Sequence, residues 1–313
     1  MKNEARVLDG IRIAAGIKTE VAAEVQSLQA AGVTPGLAVV LVGHVAASEI
    51  YVRSKVKACV ELGILSETHT PDENITTDEL LALIQDLNAR NYIDGILVQL
   101  PLPAHVDTRR VLEAVSPAKD VDGFHPINAG LLMAGRPGLR PCTPAGVMEI
   151  LRRSDIKAEG AHAVVLGRSD IVGKPMASLL LNAHSTVTVC HSRTVDIGRY
   201  TRDADILVAA IGRPGFVTVD MVKPGATLID VGINRITNAA GLEQYFPNDA
   251  ARAKQFAERG STLVGDIHPA AFAHSGAYTP VPGGVGALTI AMLMHNTVQA
   301  ANARRGPKQA DEA

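Results

Sequence analysis

Residues 164–173 read Val-Val-Leu-Gly-Arg-Ser-Asp-Ile-Val-Gly, a strand running through a glycine turn toward a helix. Ala163 to Leu166 form a short apolar run with the character of a buried parallel strand. The run stops at Gly167, and a helical pattern opens near Gly173 and Pro175, carrying Met176, Leu179 and Leu180. Proline is tolerated in a first helical turn, where its missing N–H has no partner to lose. Glycines in such a turn let phosphate approach the helix N-terminus, where free N–H groups and the dipole favour an anion. The pattern is not GxGxxG: Ser169 stands in place of the middle glycine and the spacing is longer. Taken alone, the turn serves equally well as a plain strand–helix connection.

Further along, strand candidates recur at Thr186–Val189, Ile206–Ala210 and Thr227–Val231, a spacing that fits a doubly wound nucleotide-binding domain. In NAD enzymes an acidic residue about 20 positions after the glycine turn bonds the ribose 2′-hydroxyl. Here the strand leads into Cys190-His-Ser-Arg193, with no acid. Arg168, Ser192 and Arg193 offer donors suited to a 2′-phosphate, against the plainer reading of a solvated basic loop. The missing acid favours NADP over NAD.

Toward the N-terminus the same alternation appears. Leu37–Val42 is a second buried-strand candidate, closed by Gly43, and Gly95–Leu100 a third, ended by Pro101 and Pro103. Between them lie a helical segment from about Ala47 to Leu62, stopped by Gly63, and a capping box at Thr76-Thr-Asp-Glu79. The box opens a helix with Leu80, Leu81, Ile84 and Leu87. Strand, helix, strand, helix implies a parallel sheet covered on both faces. Residues 116–146, rich in Pro, Gly and Asp, read as a long crossover into the second unit. A last helix is expected from about Ala287 to Ala301, and a frayed tail beyond it.

Composition narrows the class. The 313 residues suggest about two domains on a prior of roughly 150 residues each. Aromatics are 3% with no Trp, so the cores must be aliphatic. A net charge of −2 gives no electrostatic reason to expect a nucleic-acid or membrane partner. Cys59, Cys142 and Cys190 lie far apart without a CxxC pair, against a disulfide framework or a metal site and in keeping with a reducing compartment. Met1 to Gly10 has no apolar run for a signal peptide, and no stretch approaches the roughly 20 apolar residues of a membrane span. A soluble cytoplasmic protein is expected.

The candidate chemistry sits on the helix 47–62. Ser48, Tyr51 and Lys55 fall within roughly a 60° arc at about 100° per residue. They border an apolar stripe of Val52, Val56 and Cys59, whereas Lys57 points the opposite way. An edge lysine ordinarily snorkels; a partly desolvated one can serve as a base. Gln99 interrupts the apolar run Ile96-Leu97-Val98 near a strand's carboxyl end, where its carbonyl can hold an ammonium or simply be satisfied in a core. Asp120 and Asp122 lie in Lys119-Asp-Val-Asp-Gly-Phe124, whose plain reading is turn chemistry. Tyr-x-x-x-Lys is also the signature of short-chain dehydrogenases. There the glycine turn precedes the Tyr–Lys helix, the reverse of the order here.

Together these blocks resemble the bifunctional methylenetetrahydrofolate dehydrogenase/methenyltetrahydrofolate cyclohydrolases. The resemblance covers nearly the whole chain. It runs through Leu8–Gly10, Val42–Lys55, Val98–Pro103, Lys119–Phe124, Pro141–Gly146 and Gly167–Pro175. Cys190–Thr194, Ile229–Asn234 and Thr279–Gly286 complete it. Their number and order make it specific.

The resemblance implies an α/β fold of two domains. An N-terminal three-layer α/β domain and a Rossmann-like NADP-binding domain are expected, with a cleft between them. The implied bounds are 1–141 plus 280–303 for the folate-binding domain, 142–279 for the nucleotide domain and 304–313 for a flexible tail. Lys55, Tyr51, Gln99 and Asp122 are implied as catalytic. Gly167, Arg168, Ser169, Ser192 and Ile233 would bind NADP. Tyr51, Gln99, Leu100, Asp122, Pro282 and Gly283 would bind the tetrahydrofolate substrate. The implied activity oxidises 5,10-methylenetetrahydrofolate and hydrolyses the methenyl product to 10-formyltetrahydrofolate, in one-carbon metabolism serving purine and amino-acid biosynthesis. A homodimer through the nucleotide domain is implied, and no metal.

The chain departs from the family where Ala287-Leu288 replaces Pro-Met and where Gly265-Asp-Ile-His268 replaces Gly-Asp-Val-Asp. Three other readings stand beside the bifunctional one. They are a short-chain-type alcohol dehydrogenase, a non-catalytic sensor of folate or NADP, and a monofunctional dehydrogenase with little cyclohydrolase activity. No synthetase domain is expected in this length.

Overall fold

The computed structural model describes residues 5–44 and 46–307. Its first half runs β1 (Arg6–Val7), α1 (Gly10–Ala30), β2 (Gly36–Val40), α2 (Ala46–Leu62), β3 (Leu65–His69), α3 (Thr77–Ala89), β4 (Gly95–Val98), α4 (Thr108–Ala114), α5 (Pro126–Met133) and α6 (Cys142–Arg153). There follow β5 (His162–Leu166), α7 (Gly173–Asn182), β6 (Thr186–Cys190), α8 (Ile197–Thr201), β7 (Ile206–Ala209), β8 (Thr227–Asp230), β9 (Asn234–Ile236), α9 (Ala239–Tyr245), α10 (Ala250–Arg259), β10 (Thr262–Val264), β11 (Ala277–Tyr278) and α11 (Val285–Arg305).

The chain divides into two compact units. One comprises residues 5–13 together with Thr143–Leu288, the other Ala14–Cys142 with residues 289–307. These N-terminal residues therefore group with the unit expected to bind nucleotide, the nucleotide unit below, rather than with the one expected to bind folate, the folate unit below. The reason is β1, which adds a parallel strand to β11, pairing Arg6 with Ala277.

In the folate unit three parallel strands lie in the order β3-β2-β4. Ala38, Val40, Ile96 and Val98 face a core shared with Leu80, Ile84, Leu87 and Val111 of α3 and α4. The alternate residues Leu37, Val39 and Leu97 are also fully buried. Both faces are thus covered, as the near-continuous apolar runs require. The second helical layer is α1, α2 and α11, tied by Gln299 donating to Glu24 and by Cys59 Sγ against Met294 Sδ at 3.6 Å. α3 opens on the expected capping box, Thr76 and Glu79 satisfying each other's orphan N–H groups. α2 stops at Gly63, whose φ of +72° suits glycine.

Two expectations change here. Residues 116–146 are not one long crossover: α5 lies within them, opened by the His125 side chain and by Pro126. The C-terminal helix also runs past Ala301 through Arg305. Arg304 and Arg305 are anchored on fully buried Asp94, with Arg304 Nη1 at 2.5 Å and Arg305 Nε at 2.9 Å. Asp94 also accepts the Gly36 N–H at 3.1 Å. The rest of the expected tail, from residue 308, lies outside the described residues.

In the nucleotide unit six parallel strands lie in the order β1-β11-β8-β7-β5-β6. The chain leaves β5 first to β6 on one side and then to β7 on the other. That reversal places a crevice at the carboxyl ends of β5 and β7. A separate antiparallel pair, β9 with β10, stands apart from this sheet.

Candidate active site

In the folate unit α2 carries Lys55 to the inner side. Lys55 is 8% exposed, while the Lys57 side chain is 78% exposed, as the helical phase predicts. Lys55 Nζ donates to Gln99 Oε1 at 2.9 Å. Gln99 lies just past the end of β4, and its own Nε2 donates to the Leu100 carbonyl at 2.8 Å. That second bond fixes the amide orientation, so the carbonyl oxygen faces the ammonium. Ser48 is buried, and Tyr51, one turn before Lys55, is half exposed.

The third member is Asp122, and its loop is built by its neighbours. Asp120 accepts from Phe124 N at 3.1 Å, His125 N at 2.8 Å and Asn128 Nδ2 at 2.8 Å. Lys119 Nζ donates to the carbonyls of Leu87, Asn88 and Arg90. Burial lowers the Lys119 ammonium to about 8. At Gly123, φ is +75° and a Cβ would fall 2.4 Å from Pro141 N, so only glycine fits. From α11, Asn296 Nδ2 donates to the carbonyls of Val121 and Arg140 at 2.8 and 2.9 Å. Asp120 is thus turn chemistry, while Asp122 lies half-buried in the same turn.

Desolvation pushes the Asp122 carboxyl up to about 6, against the pull of the Lys55 charge and with a push from Asp120. Burial, then the Asp122 charge, pushes the Cys142 thiol well up, and its Sγ donates to Val121 O at 3.2 Å. Lys55, Gln99 and Asp122 therefore form one electrostatic group: an ammonium bonded to an amide, beside a carboxyl of raised pKa.

In the nucleotide unit a cavity of about 300 Å³ lies at the expected crevice. It is lined from three strand ends: Gly167, Arg168 and Ser169 after β5, His191 and Ser192 after β6, and Ile211, Arg213 and Phe216 after β7. Gly167 has φ +114°, and a Cβ there would fall 2.3 Å from the Ala210 carbonyl. Ser169 Oγ accepts the N–H groups of Val172 and Gly173 at 3.2 Å, closing the turn that opens α7. Arg193 is exposed and lies outside this lining. The second cation is Arg213, stacked at 4.4 Å on the Phe216 ring. The donor set, two guanidinium groups and a hydroxyl at strand ends with glycine at the closest approach, fits a phosphorylated nucleotide.

Ile233, half exposed, follows β8; a Cβ on Gly286 would sit 3.3 Å from its Cδ1. Pro282 and Gly283 stand in the turn before α11 within this unit. Leu100 belongs with the Lys55 group.

Comparison with known proteins matches two successive stretches of the chain. Residues 8–122 match the description "Tetrahydrofolate dehydrogenase/cyclohydrolase, catalytic domain", and residues 141–305 its "NAD(P)-binding domain". The chain belongs to the tetrahydrofolate dehydrogenase/cyclohydrolase family. It is 66% identical to the bifunctional protein FolD of Koribacter versatilis, over 96% of this chain and 98% of that one. The FolD of Acetivibrio thermocellus is 50% identical over 95% of this chain and 97% of its own. Among solved structures, the bifunctional enzyme of Campylobacter jejuni superimposes with a TM-score of 0.87 at 46% identity, covering 96% and 99% of the two chains. The Trypanosoma brucei enzyme, solved with NADP cofactor and inhibitor, gives 0.85 at 38% identity, covering 96% and 98%.

As a member of the tetrahydrofolate dehydrogenase/cyclohydrolase family, the chain is an enzyme of two activities, a nicotinamide-nucleotide-dependent dehydrogenase and a cyclohydrolase acting on tetrahydrofolate derivatives. Its departures are accommodated locally. His268 Nδ1 accepts the Ala270 N–H at 3.2 Å and so caps a short 3-10 helix, a duty an aspartate would also fill. Leu288 is fully buried in α11. Sequence reasoning missed Arg213, Phe216, His191 and Asn296. Only Arg213 and Phe216 carried a local signal, an Arg-x-x-Phe just past a strand.

Proposed function

We propose that the two activities run as successive steps on one folate. 5,10-methylenetetrahydrofolate is oxidised with NADP to the methenyl cation, and the cation is hydrolysed to 10-formyltetrahydrofolate. The observation that carries this is the Lys55–Gln99 pair beside Asp122. When bound, NADP supplies a hydride acceptor. The chain's part in that step is to bind and orient. Arg168 and Ser192 would hold the 2′-phosphate, with Arg213 as a second cation, and Gly167, Ser169 and Ile233 would line the rest. The absence of an acid in Cys190–Arg193, where β6 ends, supports NADP over NAD.

In the hydrolysis, water oxygen bonds the carbon between N5 and N10, and Lys55, in its neutral amine form, takes the proton released. The carbinol oxygen then becomes the formyl carbonyl as the carbon–N5 bond breaks. A proton passes from Lys55 to N5, and the carbinol O–H proton leaves to solvent. Gln99 holds Lys55 in place. The Asp122 carboxylate would anchor the pterin, accepting its adjacent N–H groups in paired, charge-assisted bonds. Tyr51 would stack on the ring, and Leu100, Pro282 and Gly283 would complete the folate contacts.

A dimer through the nucleotide unit fits its sheet edge. β6, Thr-Val-Thr-Val-Cys, ends the six-stranded sheet without a charge or a proline, and Val189 on it is 38% exposed. Such an edge is ordinarily covered or protected. A cytoplasmic site of action fits three buried, unpaired cysteines. No helix among the described residues is long and apolar enough to cross a membrane.

The test is a spectrophotometric assay of the purified chain with 5,10-methylenetetrahydrofolate and NADP or NAD in separate reactions, followed by decay of added methenyltetrahydrofolate. NADP-dependent turnover and methenyl decay support the proposal. Turnover with NAD alone sinks the 2′-phosphate argument. No turnover with either nucleotide, in folded protein, returns the chain to the sensor reading.

A further inference from the structure

The block Gly265-Asp-Ile-His268 has no part in the chemistry above, yet its aspartate occupies a singular position. Asp266 is fully buried. Its Oδ2 accepts the backbone N–H groups of Ile211 at 2.7 Å and Gly212 at 2.9 Å, and its Oδ1 that of Arg213 at 2.8 Å. Three successive N–H groups form a concavity that ordinarily receives an anionic ligand; here the protein's own carboxylate fills it. Oδ1 also accepts Asn234 Nδ2 at 3.0 Å. One carboxylate thus joins the segments that follow β7 and β8, the first of which lines the nucleotide cavity through Ile211 and Arg213.

Asp266 is itself held in place. Asp230, at the end of β8, accepts the N–H groups of Asp266 at 2.8 Å, Ile267 at 2.9 Å and Gly232 at 3.0 Å. The space is filled without slack. A Cβ on Gly265 would fall 1.8 Å from Asp230 Oδ2, and one on Gly232 2.3 Å from Asp266 Cγ. The backbone that sends Arg213 onto Phe216 and into the cavity therefore has its position set by Asp266.

We infer that Asp266 is a positioning residue for the nicotinamide nucleotide, acting through the backbone of 211–213 and the Arg213 guanidinium. The inference rests on the reading of this cavity as the nucleotide site. It is tested on the full chain with Asp266→Asn, Asn234→Ala and wild type. The readouts are the NADP dissociation constant by titration, KM and kcat for NADP in the dehydrogenase assay, and cyclohydrolase activity without nucleotide. Asp266→Asn turns an amide N–H₂ toward N–H donors, so at least one charge-assisted bond is lost. Kd and KM for NADP should rise about 10- to 100-fold. The dehydrogenase kcat at saturating NADP and the cyclohydrolase rate should stay within about two-fold, a split that general destabilisation would not give.

Asn234→Ala keeps the three backbone bonds and should raise Kd by about three- to ten-fold. If Asp266→Asn does not fold, that variant decides. NADP binding within two-fold of wild type in every folded variant overturns the inference, as does a parallel fall in both activities. Wild type that binds no NADP overturns the cavity reading first, and with it this inference. Wild type that binds, with variants that bind equally, overturns the inference alone.

Discussion

Replacing Gln99 with Met removes one hydrogen bond from Lys55 while nearly keeping side-chain length. The bond at stake is Lys55 Nζ to Gln99 Oε1 at 2.9 Å, made by a lysine only 8% exposed. The amide is also tied to Leu100 O, so its oxygen is already aimed before substrate arrives. A hydrogen bond to a charged group contributes about 1.5–3 kcal/mol. At about 1.4 kcal/mol per factor of ten, its loss from the transition state lowers the cyclohydrolase kcat by about 10- to 150-fold. The assay follows decay of methenyltetrahydrofolate absorbance at saturating substrate. NADP affinity, which belongs to the other unit's cavity, should not change. A fall of less than about three-fold in folded Gln99→Met would refute the reasoning, because Lys55 would then need no partner for its work.

Other expectations follow from the same geometry. The Asp122 carboxyl, raised to about 6, is ionised above that pH and neutral below it. KM for the folate substrate should therefore rise as pH falls through about 6 and be high and flat in Asp122→Asn. The raised value also means that ionising Asp122 costs folded stability as pH climbs from about 4 through 6. Asp122→Asn should thus melt higher than wild type at pH 8 but not at pH 4, and a lower melting point at pH 8 would contradict the shift. Asp94→Ala strands Arg304 and Arg305, whose side chains are 19% and 18% exposed. It should cost about 3–5 kcal/mol and lower Tm by roughly 10 °C, read by calorimetry. Arg168→Gln should weaken NADP by about 10-fold or more while leaving NAD unchanged, measured by titration with each nucleotide.

Much of this was written in local sequence. The buried strands β2, β4, β5 and β7 announce themselves as apolar runs because parallel strands covered on both faces need apolar side chains throughout. Lys55 could be placed at the core edge from helical phase alone, and Gln99 stood out as a polar residue closing the apolar run Ile96–Val98. β3 was silent for the opposite reason: Leu-Ser-Glu-Thr-His is an edge strand, half solvated, with no apolar signature. α1 carries a helical repeat in Ile17, Val21, Val25 and Leu28, but small residues and Gly16 blur its start.

The antiparallel strands β9 and β10 and the helices α9 and α10 between them are short, with too little buried surface to mark a period. Long-range arrangements were out of reach altogether. Asn296 reaching Val121, Arg304 reaching Asp94 and Asp266 reaching the loop after β7 join positions 175, 210 and 53–55 residues apart. No spacing rule in a single sequence encodes such contacts.

Hydrolysis by the Lys55–Gln99 pair beside Asp122 can be checked with a single variant. Lys55→Met, assayed for methenyltetrahydrofolate decay alongside an NADP titration, tests it most directly. Decay should fall to the uncatalysed rate while NADP binds as in wild type. Catalysed decay persisting in the folded variant would contradict it, and would send the search for the proton carrier to another residue.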